Sequence, residues 1–378
     1  MKRLLIAATL VVFACSPGRE SQTPAVASDI PVGLYGAMSG NEASFGEATK
    51  QGVKLAVEEI NANGGVLGRK IRLLIEDDQG KAEEAASAVT KLITRDNVIA
   101  IIGENSSNQS LAAAPICQAN KIPMISPSST NPNVTKKGDY IFRVCFTDPY
   151  QGKALATFVR QNLKLDNAAI LRDNKNDYSV GLAEVIRAEF TRLGGKIVAE
   201  QSYAGGDNDF RAQLTAIRSA NPQVLFVPGF YNDAGQIALQ ARDLGITVPM
   251  VGGDGWDSPT VIAIGGKAVD GCYFSDHYFV GEPRPAVQRF VGEIHKRTGK
   301  NPDANSTLGY DAMHILANAI ARAGSLDRKA IRDQIASTKQ YDGVSGVITM
   351  GPDRDPIKPV AMIKIDGGTT HFAGWVNP

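Results

Sequence analysis

The sequence predicts an α/β protein of two Rossmann-like doubly wound lobes joined by a three-strand hinge. Three observations carry this. From Asp29 onward, short apolar runs alternate with longer helix-period segments, the grammar of a mostly parallel sheet covered on both faces. That grammar restarts near Ala168, and its helix–Gly-Gly–strand joint recurs, once at Asn63-Gly64-Gly65 before Ile71 and again at Leu193-Gly194-Gly195 before Lys196. A long tail from Pro285 then offers three helical and two strand patterns, a length suited to returning to the first lobe and crossing once more.

Taken in order, apolar runs read as strands at 31–36, 71–76, 98–103, 123–126 and 141–144. Helical periodicity lies between them at 45–61, 82–94 and 110–119, the first stopped by the glycine pair. In the second half, strands read at 168–171, 196–199, 224–227, 248–251 and 272–274. Helices read at 179–193, 210–219, 234–243 and 258–264. The tail reads as helices 285–298, 306–323 and 327–337, then strands 346–350 and 360–365. Candidate crossings between lobes fall at 146–149, 275–277 and 352–356. The expected division is 29–147 plus 278–354 for the first lobe, and 148–277 plus 355–378 for the second. Three crossings form a hinge with a cleft between the lobes.

The amino terminus reads as an address. Met1-Lys2-Arg3 is basic, and residues 4–14 form an apolar run of secretory-signal length. The run ends in Val12-Phe13-Ala14-Cys15, which resembles a bacterial lipoprotein signal. The expectation is a signal peptide over 1–14, a lipidated Cys15 and a flexible tether over 15–28. Later cleavage near 25–27 is the alternative. The tether would span roughly 20 Å. Either route places the protein in the periplasm or cell envelope, and the first makes it a membrane-anchored lipoprotein.

Composition and missing motifs exclude several chemistries. The 40 Lys+Arg nearly balance the 39 Asp+Glu, so no basic footprint for nucleic acid exists. There is no G-x-x-x-x-G-K-[ST], no G-x-G-x-x-G after the first strand and no G-x-S-x-G. The four histidines show no H-x-x-x-H spacing, and no metal or cofactor is expected. Cys117, Cys145 and Cys272 read as small buried hydrophobes, with a disulfide between one pair left open. No nucleophile–base constellation appears, and an enzyme is not expected.

The loops leaving the strands carry the chemistry. In an open parallel sheet, ligands sit beyond the carboxyl ends of the strands. Glu104-Asn105-Ser106-Ser107-Asn108 precedes a helix, where a serine either caps that helix or helps hold an anion. Pro127-Ser128-Ser129-Thr130-Asn131-Pro132 is a second hydroxyl-rich run at a neighbouring strand end. The second half offers Asp177-Tyr178, Phe230-Tyr231 and Gly252-Gly253-Asp254-Gly255-Trp256-Asp257. One half thus supplies hydroxyl and amide donors. The other supplies aromatic surface and a carboxylate. A zwitterion with an apolar side chain satisfies both.

Gly36-Ala37-Met38-Ser39-Gly40, Ile60-Asn61-Ala62-Asn63-Gly64-Gly65, Asp77-Asp78, the Ser106-Ser107 loop, Ile125 to Thr130, and Gly229 with Gly235-Gln236 occur in order. Together they resemble the leucine/isoleucine/valine-binding proteins of bacterial ABC transporters, which are type I periplasmic solute-binding proteins. The resemblance implies a free amino acid, branched-chain or otherwise small and apolar, held between closing lobes and passed to a membrane permease. It implies that Ser107 and Thr130 grip the carboxylate, and that Thr130 and the Ser128 carbonyl meet the ammonium. It further implies that Asp254, where the family often has glutamate, is the ammonium's counter-charge. By the same resemblance, Phe45, Tyr178, Phe230 and Trp256 are expected to line the side-chain space. Phe45 and Phe230 stand where the family can have tyrosine, and Ser106 where it can have a disulfide cysteine. A monomer is expected. The competing readings are a ligand-sensing regulator on the same fold and a binder of small amides or urea.

Overall fold

The computed structural model describes residues 28–377. The expected signal peptide, Cys15 and all but the last residue of the expected tether lie outside them. Each half is built on a β-α-β alternation. β1 (Ile30–Gly36), α1 (Ala43–Ala62), β2 (Ile71–Asp77), α2 (Ala82–Thr94), β3 (Ala100–Ile102), α3 (Ser107–Ala119), β4 (Met124–Ser126) and β5 (Ile141–Arg143) build the first. Its sheet is parallel throughout, in the order β2-β1-β3-β4-β5.

The second half runs α4 (Asp148–Thr157), β6 (Asn167–Asp173), α5 (Asp177–Arg192), β7 (Lys196–Tyr203), α6 (Arg211–Ser219) and β8 (Val224–Phe226). It continues through α7 (Tyr231–Asp243), β9 (Met250–Gly252), α8 (Pro259–Gly265) and β10 (Tyr273–Asp276). The tail adds α9 (Pro285–Thr298), α10 (Ala304–Ala323), α11 (Arg328–Ala336), the hairpin β11 (Tyr341–Gly343) and β12 (Gly346–Ile348), then β13 (Val360–Asp366) and β14 (Thr369–Val376). The second sheet has the order β14-β13-β10-β9-β8-β6-β7, with β13 antiparallel to both β10 and β14.

Packing shows where the tail goes. Val32, Leu34, Ile102 and Phe142 of the first sheet share one core with Phe290 of α9, Leu316 of α10 and Ile331 of α11. β13 then leaves that core and joins the second sheet beside β10. The chain therefore crosses between sheets after β5, after β10 and before β13.

Side chains tie these crossings together. The His277 ring stacks on Phe146, with ring centroids 3.8 Å apart. The buried Arg143 reaches Asp355 Oδ1 at 2.7 Å. Lys358 is 1% exposed, donates to the Val144 carbonyl and hydrogen-bonds Ser345, and burial pushes its pKa down to about 8.

Three elements escape the sequence pattern: α4, the short β11 and β14. α4 carries no amphipathic stripe. It packs against α5 so closely that a side chain on Gly152 would meet Val185 at 2.6 Å. Proline at its start suits a first helical turn. β14 is an edge strand exposed over most of its length, so it needs no alternation of apolar residues. Cys117, Cys145 and Cys272 are buried and free. Among the described residues, no helix is long and apolar enough to cross a membrane, and no cluster of acidic, histidine or cysteine side chains is arranged to hold a metal ion.

Candidate functional site

The strand ends of both sheets open onto one narrow cleft. Phe45, Ser107, Ser128, Thr130, Tyr178, Phe230 and Asp254 line it, together with Asn105, Ser106, Gly255 and Asn305.

The first-lobe wall is built on the amino terminus of α3. Neither serine caps it by side chain. Ser106 Oγ instead donates to Glu42, and Ser107 Oγ accepts from the Asn131 N–H at 3.2 Å. The first intrahelical bond runs from Ser110 N–H to the Ser106 carbonyl. The N–H groups ahead of it make the helix start a donor surface with a partial positive charge. Burial raises the Glu42 pKa to about 7, so its carboxyl titrates near neutrality.

The neighbouring loop, 127–132, is held from behind. Arg143 donates to the carbonyls of Ser129 and Asn131. Ser129 N–H donates to Ser126 Oγ at 2.9 Å. The Thr130 carbonyl accepts from Asp148 N–H at 2.9 Å, which aims this loop at the start of α4. The Thr130 N–H and the Ser128 carbonyl bond to no other group among the described residues.

Asp254 dominates the opposite wall. It sits in a single 3₁₀ turn beyond β9, with its side chain 9% exposed. Oδ1 accepts from Gln151 Nε2 at 2.7 Å and from Tyr178 Oη at 2.9 Å. Oδ2 lies 3.0 Å from His277 Nε2. Burial lowers the His277 pKa, with Asp254 opposing; a carboxylate oxygen only accepts, so Nε2 is the donor in this contact. Three donors thus fix the carboxylate before any ligand arrives.

The glycines beside Asp254 have a steric cause. A side chain on Gly252 would meet the Trp256 indole at 2.3 Å, and one on Gly253 would meet Tyr178 Oη at 2.2 Å. This corrects the expectation for Trp256. Its ring is 0% exposed, packs behind the cleft in the second-lobe core and donates from Nε1 to the Val227 carbonyl at 3.1 Å. The turn sends Asp254 forward and Trp256 back.

Aromatic rings close the remaining side. Tyr178 and Phe230 stack at 5.4 Å between centroids, and Phe45 meets Phe230 edge-on at 5.6 Å. Phe45 belongs to α1 yet joins the second-lobe core, so this ring spans the two halves. Polar bonds also bridge the halves beside the lining residues. Tyr231 Oη donates to the Asn41 carbonyl at 2.7 Å, and Ser44 Oγ lies 2.8 Å from Ser258 Oγ. Asp177 N–H donates to Asn108 Oδ1 at 2.9 Å.

Sequence reasoning missed Gln151, His277 and Asn305, and named Asn105 only as part of a strand-end loop without a role of its own. His277 lay within a candidate crossing, which was its only signal. Gln151 sits in the unrecognised α4. Asn305 is in the first turn of α10, some 200 residues from the Asn105 it bonds.

The sequence profile of the periplasmic binding protein family matches residues 29–370. A Leu/Ile/Val-binding protein, BraC3, of Rhizobium johnstonii is 31% identical over 88% of this chain and 90% of its own. The crystal structure of leucine-binding LivK from Thermotoga maritima superposes with a TM-score of 0.89, at 39% identity, covering 92% of this chain and 99% of that one. The branched-chain amino acid transporter substrate-binding protein LivJ of Streptococcus pneumoniae, in complex with isoleucine, superposes with a TM-score of 0.88 at 33% identity, over 93% and 100% of the two chains.

Proposed function

The chain belongs to the periplasmic binding protein family, and on that premise we propose that it captures a free α-amino acid in the inter-lobe cleft and delivers it to the permease of an ABC importer. The observation that carries this reading is the opposition of two poles across one small cleft. The α3 amino terminus and Ser107 stand on one wall, and Asp254 with its three donors stands on the other. Only a compact dipolar ligand satisfies both.

Ser107 and the Thr130 N–H receive the carboxylate. The Thr130 hydroxyl and the Ser128 carbonyl receive the ammonium, and Asp254 neutralises it. Phe45, Tyr178 and Phe230 exclude water around the α-carbon. The relatives named for leucine, isoleucine and valine make branched-chain amino acids the first ligands to test. Capture works by closure and involves no bond chemistry. Contacts from both lobes favour the shut form, which the permease reads.

The lobes divide at 29–147 plus 278–354 and 148–277 plus 355–378, a division supported by sheet membership and by the core that α9, α10 and α11 share with β1, β3 and β5. The protein works outside the cytoplasm as a monomer, anchored through Cys15. The apolar run ending at that cysteine supports the anchor. Titration calorimetry against the twenty amino acids, after native mass spectrometry of any co-purified ligand, tests the assignment. Saturable binding of at least one, with compaction in solution scattering, is expected. Binding of none overturns it.

A further inference from the structure

Asn105 and Asn305 stand together on the first-lobe wall of the cleft, each 5% exposed. Asn105 Nδ2 lies 2.7 Å from Asn305 Oδ1, 2.7 Å from Thr49 Oγ1 and 3.0 Å from Ser128 Oγ. An amide nitrogen carries two hydrogens, so these acceptors saturate it. Ser128 Oγ also donates to Asn305 Oδ1 at 2.9 Å. Asn105 Oδ1 is left with no partner among the described residues. Asn305 bonds through Oδ1, and its Nδ2 donates to no group among them.

The pair therefore leaves one acceptor and one donor open. Turning both amides over exchanges which residue supplies which, and the sum is the same. Both residues line the cleft, and with Asp254 and the α3 terminus assigned to the charged poles, this pair is left to face the ligand's side chain. An aliphatic side chain would bury both open groups unpaired, which is costly. A side chain that both donates and accepts would pair them.

We propose that Asn105 and Asn305 form a polar subsite, and that the ligand is an amino acid with a short side chain ending in a hydroxyl or a carboxamide. The inference rests on the amino-acid reading of the cleft and narrows its ligand. A site built to hydrogen-bond a substrate group rejects the analogue lacking it far more strongly than an apolar pocket rejects an added hydroxyl.

Calorimetry with two near-isosteric pairs tests this. Threonine against valine probes the hydroxyl, and asparagine against leucine the carboxamide. In at least one pair the polar member is expected to bind more than roughly tenfold tighter, and the pair showing it identifies the group. Asn305→Leu, in the first turn of α10, is expected to lose that preference. The wild-type ratios need no variant, so a misfolded Asn305→Leu leaves the test intact. Valine and leucine binding as well as or better than their polar partners overturns the subsite and leaves the amino-acid reading standing. Binding of none of the four, with no amino acid co-purifying, overturns both.

Discussion

His277 Nε2 faces Asp254 Oδ2 at 3.0 Å, joining the crossing after β10 to the carboxylate of the cleft. Burial holds the His277 pKa below its ordinary 6.5, with Asp254 opposing. The folded protein therefore favours the neutral ring. Its contribution to stability is complete above about 6.5 and is lost as pH falls through that value toward the lower folded one. Thermal unfolding of wild type and His277→Gln from pH 8 to 5 is expected to diverge. Wild type should lose up to about 1.4 kcal/mol per pH unit relative to the variant below 6.5. Parallel curves would show that the ring does not titrate on unfolding.

Asp254→Ala removes the acceptor of three donors and the counter-charge proposed for the ammonium. Stranding a buried charge costs about 3–5 kcal/mol, a loss of more than roughly hundredfold in amino-acid affinity. Calorimetry reads it directly. A change under about tenfold would remove Asp254 from contact with the ammonium.

Ser107→Ala tests the opposite pole. The residue makes no side-chain cap on α3, so the fold should tolerate the change. One charge-assisted hydrogen bond to the ligand is at stake, worth about 1–3 kcal/mol of affinity. Unaltered affinity, with a lowered melting temperature, would make Ser107 a support for Asn131 alone.

Asp148 gives a pH effect of opposite sign. It begins α4, and burial, reinforced by the charge of Asp254, pushes its pKa up to about 8. Between about 4 and that value the unfolded chain releases a proton that the folded protein keeps, so stability falls as pH rises through the window. Asp148→Asn should remove a slope of up to about 1.4 kcal/mol per pH unit. Chemical denaturation at pH 5, 6.5 and 8 measures it. A wild-type slope retained in the variant would show that Asp148 is ionised in the folded state.

The two halves and their cleft were legible because β-α-β alternation and strand-end loops are local patterns. Ser107, Ser128, Thr130, Tyr178, Phe230 and Asp254 each follow a strand closely, and one rule about strand ends reached them all. Trp256 shows the limit of that rule. Two residues beyond Asp254, a 3₁₀ turn reverses the facing of the chain, and no sequence period records it. Asn305 shows a different limit. It reaches the cleft only because α10 returns to pack on α1, a contact set by the tail's route through the hinge.

The bonds of Tyr231 to Asn41, Ser44 to Ser258 and Asp177 to Asn108 join the rims without touching the interior of the crevice. They weight the balance between gaping and shut forms even before a guest arrives. Their strength therefore multiplies affinity for every guest by a common factor and leaves the ranking among guests unchanged. Evolution can thus tune how greedily this protein scavenges without retuning what it selects.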